Sequence, residues 1–140
     1  MAGDVHLNGK LTLGENTADN GGVRVAYMAL MQTLADASGG PGGPERPPGS
    51  TSERGFTPRE RKKPGPIDGF TPEQRFFLGF GQVWCQNETE ESARLRANVD
   101  PHSPGRYRVN GVVANMPEFQ QAFGCKAGDA MVRENACRVW

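Results

Sequence analysis

Two carboxylates precede an apolar helical stretch near the start of the chain. Glu15 and Asp19 lie four residues apart in the segment "LTLGENTADNGG". The same helical spacing continues to Val23, Ala26 and Leu30. Residues at this spacing share one face of a helix. The two acids therefore fall on the stripe that the helix is expected to bury, where an unpaired charge is costly.

The pair of acids at Glu15 and Asp19 has two interpretations. A buried carboxylate needs a cation or several hydrogen-bond donors, and a metal ion supplies the positive charge. A second acid one helical turn away suits the role of orienting a metal-bound histidine. The alternative is a solvated pair of acids on a helix surface. The spacing alone leaves both interpretations open.

A histidine and an arginine in the second half of the chain are further candidates. His102 lies in the Pro-flanked turn "DPHSPG", where an imidazole is a fixed donor for developing negative charge. Arg108 carries a planar guanidinium that suits a carbonyl or a carboxylate. An ordinary loop histidine and a surface ion pair are the alternatives.

Two helices are predicted to position most of these residues. The first runs from Gly14 to Ala37 and contains Gly21-Gly22, which weaken it by about 1 kcal/mol each relative to Ala, so close backbone approach is expected there. The second begins in "FTPEQRFFLGFGQVWC". Thr71 and Gln74 have the spacing of a capping box, and Pro72 occupies the first helical position.

The remaining ordered elements are short. A polar helix is predicted over residues 88–98, and "RYRVNGVVAN" is predicted as a weak strand that Gly111 interrupts. Asn115 with Glu118 resembles a cap that opens a helix through Phe123. The terminal "CRVW" is expected to pack rather than fray.

Composition divides the chain into three segments. Residues 1–38 carry the acid pair and its helix, residues 39–69 are rich in Gly and Pro, and residues 70–140 carry the other helices. The middle segment has few large apolar side chains and cannot bury enough surface to offset its ordering entropy. It is interpreted as a flexible, solvated insertion, with an interaction tail as the alternative for its basic cluster at 59–63.

The overall composition argues against several functional classes. The 140 residues carry a net charge of zero with scattered Lys and Arg, so no nucleic-acid partner is expected. No apolar run approaches the roughly 20 residues of a membrane span, and neither a membrane contact nor a targeting segment is expected. The three cysteines, Cys85, Cys125 and Cys137, form no Cys-x-x-Cys pair, which excludes a self-contained zinc finger.

"LTLGENTADNGG" resembles the third-ligand motif of the neprilysin family of zinc metalloendopeptidases, which includes the endothelin-converting enzymes. The stretches "FFLGFGQVWC", "DPHSPGRYRVNG", "NMPEFQQAFGCKAGDAM" and "CRVW" resemble the family's C-terminal blocks in the same order. The resemblance covers most of the chain outside residues 39–69. It implies a mainly α fold, the C-terminal portion of a thermolysin-like gluzincin catalytic domain, with at most a short strand.

The resemblance also implies a role for individual residues. Glu15 matches the glutamate that ligates zinc, and Asp19 matches the aspartate that accepts a hydrogen bond from a zinc-bound histidine. His102 matches the histidine that stabilises the oxyanion of the tetrahedral intermediate. Arg108 matches the arginine that binds the substrate backbone carbonyl beyond the scissile bond.

The resemblance extends to a pocket but not to the whole catalytic set. Val83 and Trp84 match part of the hydrophobic wall of the S1′ pocket, with simple core packing as the alternative for Trp84. The family's catalysis needs His-Glu-x-x-His for two zinc ligands and the general base. This sequence holds two histidines, His6 and His102, and lacks that motif. The missing groups are expected upstream, so the chain alone is expected to be inactive.

The expected function is that of the C-terminal segment of a neprilysin-like zinc metalloendopeptidase that hydrolyses peptide bonds of oligopeptides or proteins. Its expected cofactor is one zinc ion in the complete enzyme, with two ligands missing from this chain. Its expected partners are peptide substrates and the upstream part of the same peptidase. The resemblance implies that the three cysteines pair elsewhere in an exported parent, extracellular or periplasmic, either secreted or membrane-anchored. The alternative is a non-catalytic helical binding module derived from such a peptidase.

Overall fold

The computed structural model describes residues 5–37 and 64–139, and these residues form a mainly α structure. The helices are α1 (Leu13–Ala37), α2 (Pro72–Val83), α3 (Glu90–Val99), α4 (Gly105–Val113) and α5 (Pro117–Phe123). An isolated antiparallel bridge joins Ile67 and Phe70. No β-strand occurs in these two ranges. Most of the predicted insertion at 39–69 lies outside the described residues.

Helix α1 confirms the first predicted helix and begins one residue earlier. It buries Gly21, Val23, Tyr27 and Leu34, whereas Ala26, which was predicted on the same stripe, is exposed. The close approach predicted for the glycine pair is not found at Gly22, where an added Cβ would meet nothing within 4 Å. The buried face therefore lies slightly to one side of the face that the spacing predicted.

Helix α2 confirms the predicted capping box. The Gln74 backbone N–H donates to Thr71 Oγ1 at 3.2 Å, and the Thr71 N–H donates to Gln74 Oε1 at 3.0 Å. The Gln74 amide also donates to the carbonyl of Ala122 at 2.9 Å. One side chain thus closes the start of α2 and ties it to α5.

The prediction of a strand over "RYRVNGVVAN" is wrong, because this segment forms α4. Arg108 and Val112 lie one helical turn apart in α4 and both are buried. The valines favour a strand only as a weak preference, and packing of a helical face overrides it. Arg106 and Arg108 alternate with apolar residues in the sequence and so imitate the period of a strand.

Asn115 does not cap α5 as the sequence predicted. Helix α5 has Met116 at its N-cap and no side-chain cap. The Asn115 amide instead donates to the carbonyl of Gly111 at 2.7 Å, and its oxygen accepts from the Cys137 N–H at 2.9 Å. Asn20 of α1 donates to the Cys137 carbonyl at 3.2 Å. These hydrogen bonds hold the Cys137 backbone, although its side chain is exposed, and Trp140 lies outside the described residues, so packing of the chain end stays a prediction.

An aromatic core brings α1, α2, α4 and α5 together. Tyr27 stacks on Phe77 with ring centroids 5.2 Å apart, and Phe77 meets the Phe119 ring edge-on at 5.3 Å. Val113 and Met116 complete the buried cluster. The core therefore fixes the orientation of α4 relative to α1, the two helices that carry the candidate site.

The observed polar helix α3 spans Glu90–Val99, close to the predicted 88–98, and Thr89 caps its start. None of the helices in the described ranges is long and apolar enough to cross a membrane. Cys85, Cys125 and Cys137 are free thiols in the structure. Their predicted pairing with cysteines elsewhere stays a prediction.

Candidate active site

An ion pair between Asp19 of α1 and the buried Arg108 of α4 forms the centre of the candidate site. Arg108 donates from Nη2 to Asp19 Oδ1 at 2.6 Å and from Nε to Asp19 Oδ2. Only 8% of the Arg108 side chain and 13% of the Asp19 side chain are exposed. This hydrogen bond raises the pKa of Arg108 above its ordinary value, so the guanidinium is charged. The two-point contact fixes both groups in one plane.

Glu15 lies one helical turn before Asp19 and faces the side chains of Arg108 and His102. Its Oε2 atom is 3.4 Å from Arg108 Nη2 and 3.5 Å from His102 Nε2. The Glu15 side chain is 43% exposed, compared with 13% for the Asp19 side chain. Glu15 is therefore the carboxylate of the pair that an incoming ligand can reach.

His102 is oriented by Asp100, a residue that the sequence reasoning missed. Asp100 Oδ1 accepts from the His102 backbone N–H at 2.9 Å and lies 2.8 Å from His102 Nδ1. Arg96 donates from Nε to Asp100 Oδ2 at 2.9 Å. The backbone N–H of His102, followed by Arg96, lowers the pKa of Asp100 to about 2. The signal in the sequence was an aspartate two residues before the candidate, because Asp side chains bind the backbone two residues on.

Trp84 contacts Arg108 from a third direction. The guanidinium carbon of Arg108 is 4.1 Å from the centroid of the Trp84 ring. The indole nitrogen is buried, without a hydrogen-bond partner in the part of the chain that the structure describes. The sequence reasoning named both residues but did not predict this contact.

Val83 and Trp84, predicted as one pocket wall, line different grooves. Val83 is 75% exposed and lines a groove of about 450 Å³ between α1 and α2, which also reaches Asp19. Trp84 lines a groove of about 560 Å³ with Arg106 and Val109. Their shared role in one wall stays a prediction.

The structure brings five of the six predicted site residues together, the four polar ones and Trp84, which contacts Arg108, whereas Val83 lies in a separate groove. Glu15 and Asp19 come from α1, His102 from the turn before α4, and Arg108 from α4. A reachable carboxylate such as Glu15 fits one position of a zinc site. Within 5–37 and 64–139, no three His, Cys, Asp or Glu side chains lie close enough together to hold a metal ion.

Comparison with known sequences gives a consistent family. The sequence profile of peptidase family M13 matches residues 52–139. Neprilysin-1 of Caenorhabditis elegans is 40% identical over 137 residues, which cover 98% of this chain and therefore α1 as well. Endothelin-converting enzyme 1 of Rattus norvegicus is 38% identical over an alignment of 139 residues, and the match covers 96% of this chain. The alignments span 16% and 15% of these two relatives.

Solved structures agree with the sequence comparison. The zinc metalloprotease Zmp1 of Mycobacterium tuberculosis, solved in an open state and with an inhibitor, matches with a TM-score of 0.68 and 35% identity. The match covers 96% of this chain and 17% of that protein. The expected fold, a mainly α portion of a thermolysin-like peptidase domain, is confirmed. The chain belongs to peptidase family M13.

Proposed function

We propose that this chain supplies the third zinc ligand and transition-state groups of a metalloendopeptidase that cleaves oligopeptides or proteins. One observation carries the proposal: a single oxygen of Glu15 faces both Arg108 and His102, at 3.4 Å and 3.5 Å. Those residues come from separate elements and converge on the acid that resembles the family's zinc ligand. Membership in family M13 supports the same reaction class.

Zinc, when bound, would polarise the peptide carbonyl and make water a better nucleophile. Glu15 would hold it from this chain, and the other ligands would come from a larger peptidase, since this chain spans 16% of Neprilysin-1. Asp19 is the acceptor for the ring N–H of a zinc-bound histidine. Its bidentate contact with Arg108 keeps its oxygens at fixed positions beside Glu15.

His102 is the proposed donor to the oxyanion. Asp100 contacts Nδ1 of the His102 ring, and Nε2 on the opposite side of the ring is directed towards Glu15. Stabilisation of an oxyanion requires an N–H donor, and Nε2 is the ring nitrogen that this role would use. Because Asp100 has a pKa of about 2, it remains a carboxylate at neutral pH.

Arg108 is the proposed contact for a substrate carbonyl. Its Nε and Nη2 atoms are used by the carboxylates of Asp19 and Glu15. Nη1 is the nitrogen left for the substrate. Val83 and Trp84 are proposed to line the subsite for the residue after the scissile bond.

The compartment of the parent protein belongs to the same proposal. Cys85 and Cys137 are exposed thiols. We place the parent outside the cytoplasm, where disulfides persist, with these thiols and Cys125 paired to cysteines of the larger peptidase. Peptides and that larger part are its proposed partners.

A chimera tests the proposal. Residues 5–139 replace the matching residues of the Mycobacterium tuberculosis zinc metalloprotease, and zinc content and cleavage of a fluorogenic peptide are measured. Glu15→Gln should abolish both, because it removes a zinc ligand. Glu91→Gln, at an exposed carboxylate on α3, is the matched control and should change neither. A folded chimera in which both variants behave alike would favour the alternative, a non-catalytic helical module.

A further inference from the structure

We propose that Trp84 is a positioning residue, whose indole face holds the Arg108 guanidinium against Asp19 and Glu15. The contact itself is a feature of this chain. Its consequence for catalysis rests on the function proposed above. This role differs from that of a pocket wall, because it acts through Arg108 and not on a substrate.

The guanidinium of Arg108 is held from two perpendicular directions. The carboxylate of Asp19 binds its edge, through Nε and Nη2. The Trp84 ring lies against its face, with the guanidinium carbon 4.1 Å from the ring centroid. A cation within about 6 Å of an indole centroid is attracted by the ring electrons, most strongly when it is desolvated. Arg108 is buried, so this contact belongs to the stronger class.

Gly105 explains how the ring comes to lie there. A Cβ added at Gly105 would stand 2.6 Å from the carbonyl oxygen of Trp84 and 3.3 Å from its Cβ. The first residue of α4 therefore packs directly on the backbone that follows α2. Arg108 lies in the same helix as Gly105, so this backbone contact sets the separation between the ring and the guanidinium.

The surroundings of Trp84 favour a positioning role. Its indole nitrogen is buried and, among residues 5–37 and 64–139, has no hydrogen-bond partner, so the N–H does not orient the ring. Val83, the preceding residue, is mostly exposed. Trp84 is therefore less exposed than its neighbour, and its indole nitrogen is buried. The interaction that the Trp84 ring makes at this position is its contact with the Arg108 guanidinium.

The contact reaches the proposed zinc ligand through one further side chain. Arg108 Nη2, which binds Asp19, is also 3.4 Å from Glu15 Oε2. If the ring is removed, the face of the guanidinium loses its support and the cation can tilt out of the plane of the Asp19 carboxylate. The position of Glu15 on α1 therefore depends on a ring at the end of α2.

Fluorinated tryptophans test this role without changing the shape of the ring appreciably. Tryptophan carrying one, two or three fluorine atoms is incorporated site-specifically at position 84 of the 140-residue chain, and solvent exchange of the Arg108 Nε–H is followed by NMR. Fluorine withdraws electrons from the ring face, so exchange should accelerate stepwise, by about 10- to 30-fold in total for a desolvated contact. The Arg108 Nε–H should also show an upfield ring-current shift.

Two comparisons make the result specific. Arg96 Nε–H, which binds Asp100, is the internal control in the same sample and should not change with fluorination. Trp84→Phe should retain part of the protection of Arg108 and Trp84→Leu none. If Trp84→Leu does not fold, Arg108→Lys reports on the same contact through the shift of the Trp84 indole N–H.

An Arg108 exchange rate that does not respond to fluorination would overturn the proposal, because a ring that only fills space is insensitive to its electrons. This result is separable from the function. A flat fluorine series with an active, zinc-binding chimera would overturn the role of Trp84 alone. If Arg108 exchange accelerates with each added fluorine but Glu15→Gln changes neither zinc content nor cleavage in the chimera, the proposed function is overturned. The contact between Trp84 and Arg108 is then still supported.

Discussion

At the scale of the residue, the site depends on a few charged groups that neutralise each other in a confined space. Arg108 is buried and Asp19 is largely so, with 8% and 13% of their side chains exposed, so water can only partly replace either partner. Removing one partner of a buried pair costs more than the pair contributes, because the remaining charge stays desolvated. Glu15, which is half exposed, is free of this constraint. Substitutions at the two acids should therefore have different effects.

We expect Asp19→Ala to lower the free energy of unfolding of the 140-residue chain by about 2–4 kcal/mol, because it leaves the buried Arg108 guanidinium with only its longer contact to Glu15, at 3.4 Å. Urea denaturation measures the change. Asp36→Ala is the control, since Asp36 is exposed on the same helix, and it should stay within about 0.5 kcal/mol. Equal effects of the two variants would contradict the buried pair.

The same substitution should weaken catalysis less than loss of the zinc ligand. In the chimera, Asp19→Ala should reduce peptide cleavage by about 10–100-fold, as is usual for groups that orient a metal ligand. Glu15→Gln should remove activity altogether. The comparison of kcat/KM for the two variants checks the order, and an Asp19→Ala chimera as inactive as Glu15→Gln would reverse the assignment.

Asp100 should affect how the free energy of unfolding changes with pH in the acid range. Its folded pKa of about 2 lies below the ordinary value of 3.8, so its contribution is complete above about pH 4 and is lost as pH falls towards 2. The difference in unfolding free energy between the wild type and Asp100→Asn should be constant at neutral pH and shrink across that window. Denaturation at several pH values measures it, and a difference independent of pH would refute the assignment.

At the scale of the element, a capping box and one long-range side-chain hydrogen bond hold α2 in place beside its neighbours. Thr71 and Gln74 close the start of α2, and Gln74 also binds the carbonyl of Ala122. Thr71→Ala should cost about 1 kcal/mol, the usual value for a helix cap. Gln74→Ala should cost more, because it also removes the bond to α5. Thermal unfolding of the two variants ranks them, with Thr89→Ala at the exposed cap of α3 as reference.

The elements differ in how well the sequence predicts them. The extent of α1 and the start of α2 follow from local signals, an apolar period and a capping box, and both were confirmed. The segment of α4 was predicted as a strand because its buried face includes Arg108, a charged residue that a sequence pattern counts as exposed. Arg108 is buried because it pairs with Asp19 on another helix. Asn115 likewise binds the distant Cys137 rather than its own helix. Contacts between residues that are far apart in the sequence produce no periodic pattern of apolar residues from which they could be predicted.

The site shows the same limit. Glu15, Asp19, His102 and Arg108 could be named from their types and the family resemblance, and they do meet. The orientation of His102 by Asp100 had a local signal, the aspartate two residues earlier. The stacking of Trp84 on Arg108 had none, because it depends on the backbone contact between Gly105 and Trp84.

At the scale of the whole molecule, the candidate site in the described residues offers the half-exposed carboxylate of Glu15 and the imidazole of His102, whereas the proposed reaction needs three zinc ligands and a general base. A single carboxylate does not hold zinc against water at ordinary concentrations. We therefore expect the isolated 140-residue chain neither to retain zinc nor to cleave peptides. Calorimetric zinc titration and a fluorogenic peptide assay measure both. Stoichiometric sub-micromolar binding, or turnover that a chelator stops, would contradict this expectation.

The pairing of Asp19 with Arg108 has a consequence for the order in which the protein is made. The two residues are 89 positions apart, and the cation is the later of the two to be synthesised. While the ribosome adds the intervening residues, the acids of α1 have no Arg108 to bind, and water must solvate them. Helix α1 can form early, but its carboxylates can be buried only after α4 has emerged. The ion pair of the site therefore forms late in translation, and part of the adjoining core, including Val113, Met116 and Phe119, is synthesised later still.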